Sequence, residues 1–308
     1  MNFPKLNPYI TLLIGVISIS TSAIFVKLAS APSGIIAFYR LFFTVLFMLP
    51  LFVYKYMSEL KLISKKDWFF SILSGVFLAF HFILWFESLR FTSVASSTVL
   101  VTLQPLFAFI GSYFIFKEAF SRKAFLSCIL AIGGSVMISW GDFYVRGTAL
   151  YGDLLALIAC ALVTIYFMFG QTVRKRISLI TYTFVVYLIS TVTLLIYVLL
   201  KGEPLFPYSS KDWIYFILLA IFPTLLGHSL LNWSLKWLNT STISMAILLE
   251  PVGAGILAYF LLQETITWTQ AIGSMVVISG IMFFLVDEKK IKMKLSRFNN
   301  NLISNERK

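Results

Sequence analysis

Apolar residues run through this chain in ten long stretches, and short polar segments separate them. Each stretch holds about twenty residues, the length at which a helix crosses a hydrocarbon core of roughly 30 Å. The runs are too long and too uniformly apolar for barrel strands, and a helix satisfies its own backbone hydrogen bonds in lipid. We therefore predict an all-α integral membrane protein with ten transmembrane helices, at 8–29, 33–54, 68–89, 94–116, 122–140, 149–170, 179–200, 213–234, 240–262 and 267–286.

The composition leaves little material for a soluble domain. Hydrophobic residues make up 59% of the chain and charged residues 12%, whereas a soluble domain is roughly a quarter charged. The first apolar run exceeds the length usual for a signal peptide, so we expect it to be retained as a span. The tail 287–308 is polar and basic, and we expect it to be disordered or to lie on the membrane surface.

The net charge of +12 is divided unevenly between the two sides of the predicted membrane. With the N-terminus inside, 19 of the 25 Lys and Arg residues fall on the inner side and five on the outer side, and Arg40 falls within a span. This positive-inside bias predicts that both termini are cytoplasmic. The basic excess is then a mark of topology and lipid contact, and we expect no nucleic-acid partner.

Two parts of the chain repeat one another. A shift of 146 residues places Leu103-Gln104-Pro105 on Leu249-Glu250-Pro251, and a shift of 145 places Lys66-Asp67-Trp68 on Lys211-Asp212-Trp213. A proline and a Lys-Asp-Trp run in register are not expected by chance between unrelated apolar helices. We infer a duplicated five-helix unit.

The duplication divides the chain into a first five-helix repeat at 1–146, a second at 147–286 and a basic cytoplasmic tail at 287–308. Five is odd, so the second repeat enters the membrane inverted relative to the first. Inverted repeats place a substrate site near the bilayer midplane between them. The pattern therefore predicts a transporter with a small-molecule substrate, and it leaves the oligomeric state open.

Short motifs strengthen this prediction. The first repeat carries Phe38-Tyr39-Arg40, Gln104-Pro105-Leu106 and Phe116-Lys117-Glu118, and the second carries Glu250-Pro251 and Gln263-Glu264. With ten helices in two repeats, residues 8–286 resemble the EamA-type transporters of the drug/metabolite transporter superfamily. The resemblance implies a permease of the cytoplasmic membrane without a cofactor, commonly an exporter of amino acids or other metabolites.

Ionisable side chains within a membrane are costly, so each one is a functional candidate. Arg40 in the second span is a candidate for binding a carboxylate. The structural alternatives are pairing with carbonyls or with Glu87, and snorkelling of the side chain to the membrane surface. Glu250 precedes Pro251 deep in the ninth span, where a carboxyl group is costly to ionise, so we predict a role in proton coupling. A hydrogen bond that locks two helices together is the alternative for Glu250.

The only two histidines, His81 and His228, both lie in predicted spans. They either line the pathway or make packing hydrogen bonds, and no ligand set for a metal accompanies them. Trp85 follows His81 by one turn and either contacts substrate or belongs to the interfacial aromatic belt. Our predicted substrate-binding set comprises Arg40, His81, Trp85, Gln104, His228 and Asn232, with Glu250 as the coupling residue and no metal.

We therefore predict a secondary transporter of amino acids or similar metabolites that works by alternating access, and the family resemblance implies export. A permease for cationic or nucleoside-like cargo is the first alternative. An intramembrane enzyme is the second, and it is disfavoured because the chain has no Gly-x-Ser-x-Gly and no His-Glu-x-x-His pattern. There is also no P-loop pattern, so we expect a gradient to supply the energy.

Overall fold

The computed structural model describes residues 6–306 except 93, 119, 139, 141–147 and 264. Its regular elements in that part of the chain are helices. The fourteen α-helices are α1 (Pro8–Ile19), α2 (Ser22–Leu28), α3 (Ser33–Leu51), α4 (Lys65–Phe91), α5 (Val94–Val101), α6 (Gln104–Gly111), α7 (Arg122–Ile138), α8 (Thr148–Val173), α9 (Leu179–Lys201), α10 (Ser210–Leu219), α11 (Ser229–Ser234), α12 (Thr240–Ile247), α13 (Glu250–Leu262) and α14 (Trp268–Glu306).

Within the described residues, nine helical runs are long and apolar enough to cross a membrane. The remaining predicted span, 122–140, contains α7, whose 17 residues are at the lower end of the crossing range. Helix α7 packs directly on α14. The contact is so close that a Cβ atom added to Gly134 would lie 2.7 Å from the carbonyl oxygen of Gly273. Small residues allow such close contact between membrane helices. The predicted all-α fold with ten transmembrane helices is confirmed.

Two spans are interrupted at repeat-related positions. The fourth span breaks between α5 and α6, and the ninth breaks between α12 and α13. The new helices begin at Gln104 and Glu250, with Pro105 and Pro251 in their first turns, where a missing N–H group costs no helical hydrogen bond. Each break leaves the N-terminal end of a helix inside the membrane, and irregular backbone at such depth normally lines a cavity.

Irregular backbone occurs in two further spans. The first span changes direction between α1 and α2, and in the eighth a π-helical segment, Ala220–His228, joins α10 to α11 around Pro223. Such π-helical turns are frequent at functional sites. All four of these spans contribute residues to one cavity.

The tail departs from the expectation of disorder. Helix α14 continues for 39 residues from Trp268 to Glu306, so the disorder alternative was wrong for 287–306, and the position on the membrane surface stays a prediction. Its sequence explains the difference, because no Gly or Pro follows Gly280 and Lys, Glu, Leu and Met are strong helix formers.

Candidate functional site

A cavity at the centre of the bundle gathers most of the predicted site residues. Its volume is about 20 Å³, which is room for about one water molecule. Apolar side chains form much of the wall. The hydrogen-bonding side chains that line it are Ser22, Arg40, His81, Trp85, Gln104, His228 and Glu250.

Arg40 is fully buried, with 0% of its surface exposed. Its Nε donates to the Thr224 hydroxyl at 2.7 Å, and its Nη1 donates to the Ser22 hydroxyl at 2.8 Å. The guanidinium carbon lies 4.1 Å from the centroid of the Phe82 ring, a cation–π distance. The third nitrogen, Nη2, has no hydrogen-bond partner. Arg40 is thus held firmly while one donor stays available.

Among the described residues, Arg40 forms no ion pair with Glu87, its predicted structural partner, or with Glu250. Glu87 instead contacts Arg90 at 3.6 Å. Glu250 lines the same cavity as Arg40, yet among the described residues the ion pairs within 4.0 Å are Arg90–Glu87 and Arg176–Asp67. Arg40 and Glu250 therefore both line the cavity without forming an ion pair with each other.

Ser22 and Thr224, which orient Arg40, were not predicted from the sequence. Thr224 lies in the π-helical segment, and its hydroxyl donates to the Leu219 carbonyl at 2.8 Å. That bond leaves its oxygen lone pairs free to accept from Arg40. The sequence signals were present: Pro223 precedes Thr224, and Ser20-Thr21-Ser22 is a polar run inside an apolar span.

Four buried polar atoms around the cavity have no hydrogen-bond partner among the described residues: Arg40 Nη2, Trp85 Nε1, Gln104 Oε1 and His228 Nδ1. An unsatisfied buried polar group costs about 1–3 kcal/mol. Such groups are few in native proteins, and each requires an explanation. Their concentration around one cavity indicates a site for the polar atoms of a ligand.

His81 and Trp85 form one wall of the cavity. The His81 Nδ1 atom hydrogen-bonds the Ala159 carbonyl at 2.9 Å, which fixes the ring. The two rings stack with centroids 5.8 Å apart. Trp85 is 4% exposed, so it lies inside the bundle, unlike a residue of the interfacial belt.

Glu250 is 5% exposed and begins α13. Its carboxyl group makes no hydrogen bond to the described residues, although the helix end beside it carries partial positive charge. Its repeat mate Gln104 begins α6 and also faces the cavity. The residue that follows each helix break therefore lines the same cavity. In the first repeat it is the amide of Gln104, and in the second it is the acid of Glu250.

Asn232 does not line the cavity. Its side-chain amide donates to the Tyr166 hydroxyl and to the His228 carbonyl, the latter at 2.7 Å. Its own backbone carbonyl accepts from Arg174 Nε at 3.1 Å. Asn232 therefore connects the cavity wall to the end of the bundle near Arg174.

Comparisons with known proteins agree with this architecture. The model of the EamA-like transporter family matches residues 6–140 and 150–286. The chain is 23% identical over 259 residues to the uncharacterized transporter YdfC of Bacillus subtilis (strain 168), covering 81% of this chain and 82% of that protein. It is 24% identical over 274 residues to an uncharacterized transporter of Archaeoglobus fulgidus, covering 88% and 93%.

One solved crystal structure, 16% identical to this chain, has a TM-score of 0.74 and covers 92% of this chain and 98% of its own. At that identity the similarity concerns the fold alone. The family match spans nearly the whole chain, so this multi-pass membrane protein is a transporter and belongs to the EamA-like transporter family.

Proposed function

We propose that this protein is a secondary transporter that exports amino acids or similar small metabolites across the cytoplasmic membrane by alternating access between two inverted repeats. The repeats are 1–146 and 147–286. The observation that carries the proposal is the central cavity. Arg40 and Glu250 line it without forming an ion pair, beside buried polar atoms that have no hydrogen-bond partner among the described residues.

The chemistry of that cavity fits a zwitterion. Arg40 Nη2 and Trp85 Nε1 are donors suited to a carboxylate, and a guanidinium–carboxylate contact is among the stronger hydrogen bonds. Gln104 Oε1 and the Glu250 carboxyl are acceptors suited to an ammonium group. Apolar wall residues are available for the remainder of the cargo: Ile19, Val101, Val163, Phe167, Leu231 and Ile247.

At about 20 Å³ the cavity is smaller than any amino acid, so cargo must enter a wider conformation. A vestibule of about 370 Å³, lined in part by Lys27, Arg90 and Phe86, opens at one end of the bundle. The Phe86 ring centroid is 5.7 Å from the guanidinium carbon of Arg40. Phe86 thus lines the vestibule and also lies beside Arg40 of the cavity, which fits an occluded state beside an access route.

The charge distribution supports placing both termini in the cytoplasm, so the vestibule would face outwards. A fluorescent protein fused after Lys308 is then expected to fold and fluoresce. Activity of a periplasm-only reporter at the same position would contradict this orientation.

Glu250 is the residue we propose for proton coupling. Among the described residues it is the only acid that lines the cavity, and none of them makes a hydrogen bond to its carboxyl group that would fix one protonation state. A group in this position can exchange a proton when the cavity opens to either side.

Counterflow in proteoliposomes tests the proposed cargo. Vesicles are loaded with single compounds from an amino-acid and metabolite panel, and wild type is compared with Arg40→Ala and with Arg90→Ala as a matched control in the vestibule. Uptake of a carboxylate-bearing compound that Arg40→Ala abolishes and Arg90→Ala retains would support the proposal. Activity confined to a cation or a nucleoside would exclude amino acids as cargo and favour the alternative permease.

A further inference from the structure

The duplicated Lys-Asp-Trp motif places the same carboxylate at the start of two repeat-related helices. Asp67 accepts from the hydroxyl of Ser64 at 2.7 Å, and Asp212 accepts from the hydroxyl of Ser209 at 2.7 Å. Each serine in return accepts the N–H of its aspartate, at 3.1 and 3.2 Å. The two caps are built alike, and both aspartates are buried.

Each aspartate also reaches across to the other repeat. Asp67 binds Arg176 through an ion pair in which the guanidinium Nε lies 3.2 Å from both carboxylate oxygens. Arg176 belongs to the connection between α8 and α9, the first two helical spans of the second repeat. Asp67 thus fastens that connection to the first repeat.

Asp212 makes the corresponding contact at the opposite end. It accepts from the N–H of Ser30 at 2.7 Å and from the Ser30 hydroxyl at 2.8 Å. Ser30 belongs to the connection between α2 and α3, which joins the first two spans of the first repeat. The two contacts are therefore equivalent under the exchange of repeats, and an inverted duplication places them at opposite faces of the membrane.

We propose that Asp67 and Asp212 are a pair of latches, one at each end of the transporter, and that each holds its own end closed until the repeats rearrange. This inference rests on the alternating-access part of the proposed function and is independent of the cargo. In this structure both latches are formed and the central cavity is closed to about 20 Å³, while the vestibule lined in part by Ser30 is open at the Asp212 end.

The two latches differ in chemistry. The Asp67 latch joins two charges, whereas the Asp212 latch joins a carboxylate to a neutral amide and hydroxyl, and charge-assisted pairs with both partners ionised are the stronger. The Asp67 end has further reinforcement, because Glu59 accepts from the Ser178 N–H at 2.8 Å and from the Ser178 and Thr181 hydroxyls. The resting transporter is therefore closed more firmly at the Asp67 end.

Cysteine labelling from each face tests the latches. The reporter is Val101→Cys, which lines the central cavity, in a background with Cys128 and Cys160 replaced by Ala. A membrane-impermeant thiol reagent is applied to right-side-out and inside-out vesicles. Arg176→Ala is expected to raise labelling from the Asp67 end roughly fivefold, as for a partly exposed ion pair, and to lower it from the other end. Asp212→Asn is expected to raise labelling from the Asp212 end and to lower it from the Asp67 end, both by smaller factors than for Arg176→Ala.

Two controls separate latching from folding. Ser64→Ala removes only the cap hydroxyl and leaves the Arg176 contact, so it is expected to leave the labelling ratio unchanged. High salt is expected to act like a weak Arg176→Ala on wild type, because Arg176 is half exposed and screening weakens exposed pairs. Each variant is first shown to elute as a single species in detergent.

Opposed shifts for Arg176→Ala and Asp212→Asn support the latches. Labelling from both ends with shifts in the same direction, or with no shift, overturns the latches and leaves alternating access intact. Labelling from one end only in every variant overturns alternating access and the latches together.

Discussion

Arg40 and Arg174 are both buried arginines, 0% and 3% exposed, but their surroundings differ in kind. Arg174 donates to two backbone carbonyls, those of Asn232 and Ile177. Burial lowers the pKa of Arg174 to about 10, so it stays charged at neutral pH. Arg40 donates to two side-chain hydroxyls and keeps one nitrogen without a partner beside a cavity.

The difference supports our proposal that Arg174 holds the bundle together while Arg40 binds cargo. The backbone carbonyls that accept from Arg174 connect the end of α8 to α11. The two hydroxyls that accept from Arg40 orient its guanidinium and leave Nη2 without a partner among the described residues. Burial alone does not distinguish the two arginines, so the proposal for Arg40 rests on that nitrogen.

Alanine variants give the largest expected contrast. Arg40→Ala is expected to reduce transport by more than about 100-fold, the loss typical of a buried charged hydrogen bond to cargo. Its loss of unfolding free energy is expected to be smaller than that of Arg174→Ala, because the variant also removes the buried Nη2 that has no partner among the described residues. Arg174→Ala is expected to lower the free energy of unfolding by roughly 3 kcal/mol, because two charge-assisted bonds are lost. An unfolding temperature lowered more by Arg40→Ala than by Arg174→Ala would reverse the comparison.

Lysine at position 40 sharpens the assignment. Arg40→Lys keeps the charge but loses the planar fork that bonds Ser22 and Thr224 while presenting a third nitrogen. Transport of the carboxylate cargo is expected to fall by about 10- to 100-fold, within the range for one misplaced charged contact. Arg174→Lys is the matched control, and it is expected to leave the affinity for cargo unchanged. Equal transport by Arg40→Lys and wild type would show that charge alone is sufficient.

Glu250→Gln tests the acid that faces Arg40. We expect expression to be unchanged and the dependence of the transport rate on pH to flatten, because an amide cannot take up a proton in this range. Gln104→Glu, at the repeat-related position, serves as a companion that adds an acid to the same cavity. A pH profile in Glu250→Gln that matches wild type would remove Glu250 from proton coupling.

Thr224→Val gives the smallest expected effect. It removes the acceptor for Arg40 Nε while keeping the shape of the side chain, so the guanidinium is held by Ser22 alone. The concentration for half-maximal transport is expected to rise roughly fivefold, the value of about one hydrogen bond, and Thr224→Ser is expected to restore it. Failure of Thr224→Ser to restore affinity would assign Thr224 to packing of the π-helical segment.

The sequence predicted the spans, the repeat-related Gln104-Pro105 and Glu250-Pro251 positions, and six of the seven hydrogen-bonding side chains that line the cavity. These follow from local rules: apolar length, proline position and the cost of a charge in lipid. The partners of Arg40 could not be predicted in this way, because Ser22 and Thr224 come from spans far apart in the chain. Asn232 shares a helical turn with His228, but sequence spacing does not show that its amide is used by Tyr166.

The matching caps at Ser64 and Ser209 bear on how such a protein diverges after its gene duplicates. Both copies kept the serine and the aspartate, and the difference between them lies in the residue that each aspartate meets. Under the latch proposal, these two loop residues determine to which side of the membrane the unloaded transporter is open. That preference can then change in evolution through single substitutions in the loops. Under the latch proposal, exchanging the chemistry of Ser30 and Arg176 would weaken that preference and leave the cargo cavity untouched. The Glu59 contacts would still favour closure at the Asp67 end.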